Sequence, residues 1–293
     1  MKKIVVFLAF FTMILSAQVR VTKTEALDLG TNTIQPVFSN DGHHLLFTSK
    51  EGLQYYDLVK KTSIRIADGG YDYIMDSEGN IRFRVDSFDN GLRLNSVYMF
   101  DTKTKNTTKI LEKKRLDVVP LITSQGVYYI ENNTIKSNLS KSVSDTKPIA
   151  FSYDRSILLY SGGTTKILKP AGEEKFYIWP SVSPDNKQLC FVDKNDLYIT
   201  DLDGAIYTIV KEARAPKWSP DGKWIVFMRD SDDGYHFTES EIFVLRVADS
   251  AVFQLTDSAD RIEMCPSWSP DGKQIICEDA ANDELLLLTL DIR

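Results

Sequence analysis

The octapeptide Pro216-Lys217-Trp218-Ser219-Pro220-Asp221-Gly222-Lys223 recurs further along as Pro266-Ser267-Trp268-Ser269-Pro270-Asp271-Gly272-Lys273. A chain that repeats a tight turn in this way folds as stacked copies of one small unit. A third copy, Pro180-Ser181-Val182-Ser183-Pro184-Asp185-Asn186-Lys187, leads into Leu189-Cys190-Phe191-Val192, and a fourth, Pro36-Val37-Phe38-Ser39-Asn40-Asp41-Gly42, leads into Leu45-Leu46-Phe47. Three fainter copies are Met75-Asp76-Ser77-Glu78-Gly79, Pro120-Leu121-Ile122-Thr123-Ser124-Gln125-Gly126 and Pro148-Ile149-Ala150-Phe151-Ser152-Tyr153-Asp154. The positions equivalent to Ser219 are then 39, 76, 123, 152, 183, 219 and 269, a mean period of about 38 residues, within the range of a four-stranded propeller blade.

The chemistry of one repeat agrees. The Pro is expected to open a short strand that ends at the aromatic residue. Ser-Pro-Asp-Gly then turns the chain, since Pro fixes φ, Asp bonds its own backbone and Gly accepts φ > 0. Lys223 to Met228, Glu241 to Val247 and Val252 to Thr256 are β-rich and short, which makes four strands per repeat. After the last turn only two strands remain, while Lys23 to Gly30 resembles the outer-strand segment Phe253 to Ser258. The N-terminal strand is therefore expected to complete the last blade and close the ring. The reading is an all-β propeller of four-stranded blades, seven in number, or six if a faint copy is false.

Ahead of the repeats, Lys2 and Lys3 precede an apolar run from Ile4 to Leu15 and the small residues Ser16 and Ala17, the pattern of a signal peptide over 1–17. The run is about half the ~20 residues of a spanning helix, and Gln18 stands where a lipoprotein needs Cys. Residues 18–293 are read as one exported propeller domain, monomeric, periplasmic or secreted, with no membrane span after cleavage. The composition, 43% hydrophobic and 26% charged, is that of a globular domain, and a net charge of −6 disfavours nucleic acid as a partner. Of the three cysteines, Cys265 is expected opposite Ile276, which leaves Cys277 out of register for pairing, so buried free thiols are expected.

The repeats resemble those of the TolB family, whose hallmark is the Trp-Ser-Pro-Asp-Gly turn followed by an apolar strand. The resemblance is strong over residues 36 to 49 and 180 to 279 and weak between them. It implies a periplasmic interaction platform docking onto an envelope protein or lipoprotein, although no α/β domain precedes the repeats as it does in TolB. Similar repeats occur in peptidase propellers and pectin-degrading lyases, so the motif speaks for fold more than function.

Chemistry is expected to be absent. Ser161-Gly162-Gly163 lacks the Gly-x-Ser-x-Gly of a nucleophile elbow. His43, His44 and His236 are too few and too scattered for a three-histidine metal site, and His43 and His44 are expected at the surface. Asp41, Asp185, Asp221 and Asp271 are read as turn formers. Asp230 to Gly234 lacks the spaced ligands of a calcium loop and is read as a solvated acidic loop. No catalytic, metal or cofactor residue is assigned.

Two repeats are long, 76 to 123 and 219 to 269, with excess at Asp86 to Leu94 and Asp230 to Glu239. Such loops emerge beside the connections into the inner strands, on a face expected to include Gln35 as well. The candidate partner-binding residues are Phe88, Arg93, Trp179, Arg214, Tyr235, His236, Phe237, Arg261 and Glu263, the aromatic and arginine types that make hot spots. Trp218, Trp224 and Trp268 are read as packing between blades. A glycan is the alternative ligand, through Trp179, Tyr235 and Arg261, and a polysaccharide lyase or hydrolase the third reading.

Overall fold

The computed structural model describes residues 18–30, 32–139 and 147–293; residues 1–17, expected to be a signal peptide, lie outside the described residues. Among the described residues, alternation of apolar and polar residues over short runs bounded by turns produces only strands, and these form seven antiparallel sheets. In sequence order each sheet is a blade. Blade 1 comprises Ile34–Phe38, His44–Ser49, Gly52–Asp57 and Thr62–Ala67, and blade 2 comprises Tyr71–Met75, Asn80–Asp89, Leu92–Asp101 and Thr107–Lys114. Blade 5 (Ile178–Val182 to Ile206–Val210) and blade 6 (Arg214–Trp218 to Ala251–Gln254) have the same four-strand order. Blade 3 (Leu121–Ile122, Val127–Glu131, Thr134–Ser137) and blade 4 (Ile149–Tyr153, Ser156–Ser161, Thr164–Leu168) have three strands among the described residues. In blade 4, Pro170 and Gly172 follow directly and end the strand pattern.

Closure follows the expected route. Val19–Leu27 pairs antiparallel with Glu284–Ile292, the third strand of blade 7, beside Gln274–Asp279 and Glu263–Trp268. The buried apolar side chains fall into clusters that each join neighbouring blades. The largest unites blades 6 and 7 through Trp224, Met228, Trp268 and Leu288, and the smallest joins blades 2 and 3 through Val97, Leu111 and Val127.

The turn motif works through its side chains. The buried Ser219 hydroxyl donates to Asp221 Oδ1 at 2.7 Å and accepts from Trp224 N–H at 3.0 Å, while Asp221 Oδ1 also accepts from Lys223 N–H. Ser39, Ser183 and Ser269 repeat the arrangement with Asp41, Asp185 and Asp271, so these four aspartates are turn formers. Successive turns also touch: a Cβ on Gly222 would sit 3.5 Å from Pro184, one on Gly272 3.8 Å from Pro220, and one on Gly42 3.6 Å from Pro270. Each Pro thus packs on the Gly of the next blade's turn. Trp218 and Trp268 donate their indole N–H to Ser181 O and Lys217 O of the preceding blade, both at 3.1 Å, which places these tryptophans between blades as expected. Trp224 is buried in the cluster between blades 6 and 7.

Several local expectations are corrected. The repeat's Pro does not open the inner strand but sits in its middle, at a bulge. Gln35, Trp179, Ala215 and Cys265 each have φ near +50° immediately before Pro36, Pro180, Pro216 and Pro266, and the register slips there. A bulge is well placed at a Pro, which has no N–H to leave unpaired. The bulge also moves Cys265 out of line, so Ser267 rather than Cys265 lies opposite Ile276. All three cysteines are free. In the copy around Ser152, that residue lies within a strand, paired with Ile157, and the turn is Asp154-Arg155 with φ of 40° and 54°, the geometry of a tight hairpin.

Candidate functional site

Up-and-down order sends every inner strand away from one face of the ring, and returns every second strand to it. That face therefore carries both the connections into the inner strands and the hairpins between second and third strands. The two long repeats do not form loops there. They extend their hairpins, as Asn80–Asp89 with Leu92–Asp101 and as Trp224–Asp232 with Phe237–Arg246, paired to the tip. Phe88 and Arg93 are directly opposite each other near the first tip. Tyr235 and His236 cap the second, where Asp233 accepts from both their N–H groups at 2.8 Å.

Phe88 (71% exposed), Tyr235 (91%) and Phe237 project into solvent, and Trp179 (43%) stands at the channel mouth. Arg93 and His236 are exposed as well. The remaining three candidates are engaged internally. Arg214 pairs with Asp230 Oδ2 at 2.7 Å and Arg261 with Asp279 Oδ2 at 3.6 Å, and both carboxylates are buried. Asp230 is thus an ion-pair partner beneath the hairpin and not part of a solvated acidic loop. Glu263 is 1% exposed and offers nothing to a partner. It lies on the inner strand against blade 6, where Ser240 donates to its backbone oxygen and Ser258 to its Oε1. Burial, opposed by the Ser258 hydrogen bond and reinforced by Glu241 and Asp279, pushes its carboxyl up to about 7.

Other rim charges follow one plan. Lys175 pairs with buried Asp193 at 2.9 Å, and Arg84 is clamped between Asp72, at 2.8 Å, and Asp86. Asp193 and Asp279 also accept the N–H of Phe176 and Ile262, pinning the connections into blades 5 and 7. These buried acids end second strands, a position that composition alone does not separate from an ordinary surface acid.

Within the ring of inner strands lies a cavity of about 280 Å³, lined among others by Gln35, Asp72, Tyr73, Trp179, Lys217 and Ser267. Behind it, Glu278 Oε1 accepts from Gln35 N–H at 2.5 Å, and burial raises its carboxyl, a shift that the Gln35 N–H and Cys265 oppose. The Tyr73 hydroxyl donates to Gln35 O at 2.5 Å. Gln35 was expected on this face; Asp72, Tyr73, Lys217 and Glu278 were missed. Their signal is the position beside or after each bulge, which becomes visible only when the Pro is placed mid-strand. His44 is half-buried and stacks on Tyr55 with ring centroids 4.4 Å apart, so of the two adjacent histidines only His43 is fully at the surface. Among the described residues there is no group of three or more His, Cys, Asp or Glu able to hold a metal ion.

No family model matches the chain, and no curated protein does. Solved structures do resemble it. A chain of a mitotic checkpoint complex superposes with a TM-score of 0.64 at 11% identity, covering 99% of this chain and 97% of that one. An oligogalacturonate lyase from Vibrio parahaemolyticus gives 0.52 at 13% identity, and an oligogalacturonate lyase in complex with manganese gives 0.50 at 16%, each covering 89% of this chain and 78% of that one. At these identities the likeness is one of fold: this chain is a seven-bladed β-propeller.

Proposed function

We propose that this chain is a non-catalytic interaction propeller of the cell envelope, TolB-like in its repeats, which receives an envelope protein or lipoprotein on the face bearing the channel mouth and the two tall hairpins. One observation carries the reading. Of the eighteen large apolar residues exposed among the described residues, ten lie on that face: Ile34, Tyr71, Phe88, Leu92, Val119, Phe176, Ile178, Trp179, Tyr235 and Phe237. The opposite face has only Val59 and Ile292, and the other six lie on outermost strands. An apolar surface concentrated on one face and rimmed by charges marks a place that is covered in use. The envelope location rests on the signal-peptide pattern of residues 1–17.

Recognition of a glycan is the second reading, favoured by the Trp179 indole in the channel-mouth cavity. The lyase reading has only a likeness of fold behind it. The test is crosslinking in envelope extract of the propeller and of a Phe88→Ala, Tyr235→Ala, Phe237→Ala variant. One protein crosslinked in stoichiometric yield by the first and not by the second supports docking on this face. Retention on a glycan array, with no protein crosslinked by either, replaces the protein partner with a carbohydrate.

A further inference from the structure

The channel mouth differs electrostatically from its rim. Around it Arg84, Lys175, Arg214 and Arg261 each hold a buried or half-buried Asp, while Arg93 stands apart near a hairpin tip. Lys217 is not matched. It lines the 280 Å³ cavity and is exposed, and no ion pair or hydrogen bond engages its ammonium among the described residues. The bulge at Ala215 and Pro216 lies just before it, and its neighbour Trp218 packs against the cluster between blades 5 and 6. Ser267 lines the same cavity with its hydroxyl unengaged among the described residues, while Trp179, Val37 and Pro266 supply apolar wall.

One unpaired ammonium, one free hydroxyl and an indole within a concave site suit a single negative charge attached to an apolar body. Solvent screening is weaker in a concave site than on an open surface, so the ammonium attracts an anion more strongly there. Phosphate fits less well. Sites for a dianion gather several cations or backbone N–H groups, whereas here the Asp72 carboxylate occupies the same wall. The volume admits a residue or two and not a folded element.

We propose that the channel mouth is a carboxylate-binding site in which Lys217 receives the acid group of a peptide segment, a C-terminal carboxylate or an Asp or Glu side chain, presented by the docked partner. Capture of a peptide carboxylate by a preformed polar site is a known recognition mode. The site rests on the reading of this face as the docking face, and adds to it a single anchoring charge at its centre.

Trp179 reports on the site, because it is the tryptophan that lines the cavity. The probes are N-acetyl-Leu-Phe-Glu with free carboxylates, N-acetyl-Leu-Phe-Gln amide, and digalacturonate, each titrated while Trp emission is followed. The acid peptide is expected to give a saturable shift that weakens with added salt. Its affinity falls tenfold or more in Lys217→Met and stays within threefold in Lys217→Arg, and the neutral peptide gives no saturable shift. The Lys217→Met melting temperature stays at the wild-type value, because no internal partner is lost. Equal binding of the acid and neutral peptides, unchanged affinity in Lys217→Met, or binding of digalacturonate alone would each overturn the proposal. Crosslinking separates it from the docking reading: partner capture lost on removing the hairpin aromatics but intact in Lys217→Met removes the carboxylate site and leaves the docking face standing.

Discussion

Blades 5, 6, 7 and 1 differ from blades 2, 3 and 4 in how they are fastened to one another. In the first arc each turn carries the Ser–Asp network, a Pro lies on the Gly of the next turn, and at two joints an indole reaches the backbone of the preceding blade. In the second arc the turns are reduced to Asp76, Thr123 and the Asp154-Arg155 hairpin. The apolar seams shrink in parallel, from thirteen buried residues between blades 6 and 7 to three between blades 2 and 3. The repeat motif is therefore a fastener between blades, and its strength in a given blade measures how firmly that blade is joined. It carries no information about the ligand.

The largest expected effect probes the strong arc directly. Trp268→Ala removes an indole that fills the seam between blades 6 and 7 and bonds Lys217 O, and should cost about 4 kcal/mol. Val127→Ala, fully buried in the thin seam between blades 2 and 3, should cost about 2 kcal/mol or less, since fewer neighbours are stripped of contact. Urea unfolding of the two variants measures both costs. Equal costs would mean that the arcs are equally fastened and that the comparison fails.

The turns sharpen the same point at smaller scale. Ser269→Ala leaves Gln274 N–H and Asp271 without the hydroxyl between them and should cost about 2 kcal/mol. Thr123→Ala removes its bonds to Gly126 O and to the N–H groups of Gln125 and Gly126, all within its own short turn, and should cost about 1 kcal/mol or less, as a neutral local bond does. Thermal melts of both variants, with Asp271→Ala beside them to show shared loss, decide whether the Ser–Asp pair acts as one unit.

How much of this was legible follows from the same division. The four strong turns could be read because Ser, Pro, Asp and Gly have a required place in them, and with them came the period, the seven blades and the closure by Val19–Leu27. The bulges are not legible in the same way, because a Pro at the head of an apolar run reads as a strand opener, although its missing N–H suits it equally to mid-strand irregularity. Missing them hid Lys217 and Asp72, whose approach to the channel depends on that shift. Phe88, Tyr235 and Phe237 could be placed because extra length in a meander has to leave at a hairpin. Glu263, Arg214 and Arg261 could not, since a charged residue beside a connection reads the same whether it faces water or a buried partner.

Glu263 makes the seam between blades 6 and 7 dependent on pH. Facing it are Glu241 of the third strand of blade 6, Asp279 and Cys277 of blade 7, and the Ser258 hydroxyl; Asp279 is held by Arg261 and Asp230 nearby by Arg214. Its carboxyl is raised in the folded chain to about 7 from an ordinary 4.5. The stability that protonation supplies is therefore complete below pH 4.5 and is lost as pH rises through 7. The turn aspartates act in the opposite sense. The Ser183 hydroxyl holds Asp185 below its ordinary value, and at Asp221 burial is outweighed by the Ser219 hydroxyl and Lys223 N–H, so their contribution disappears as pH falls through the acid range. With these two opposing contributions, stability should peak at about pH 4 to 4.5 and fall between there and pH 7. Glu263→Gln keeps the bond from Ser258 without the charge, and should match the wild type at pH 4 while melting several degrees higher at pH 8.5. A difference that does not change with pH would show that the seam does not titrate.

The smallest effect on stability is the one that bears on function. Tyr235 and Phe88 sit at hairpin tips, 91% and 71% exposed, and belong to none of the buried clusters. Replacing either with Ala should change the unfolding free energy by less than about 0.5 kcal/mol, as for a surface site without structural duty. The hairpins themselves are paired to the tip, so their backbone does not need these rings. Aromatic side chains that the fold does not use, carried on tall hairpins beside the channel mouth, are retained at a cost in solubility that only a partner covering them would offset. A measured destabilisation of 2 kcal/mol or more in either variant would assign the ring to the fold and remove it from the docking face, and partner capture would then rest on Trp179 and its neighbours at the channel mouth.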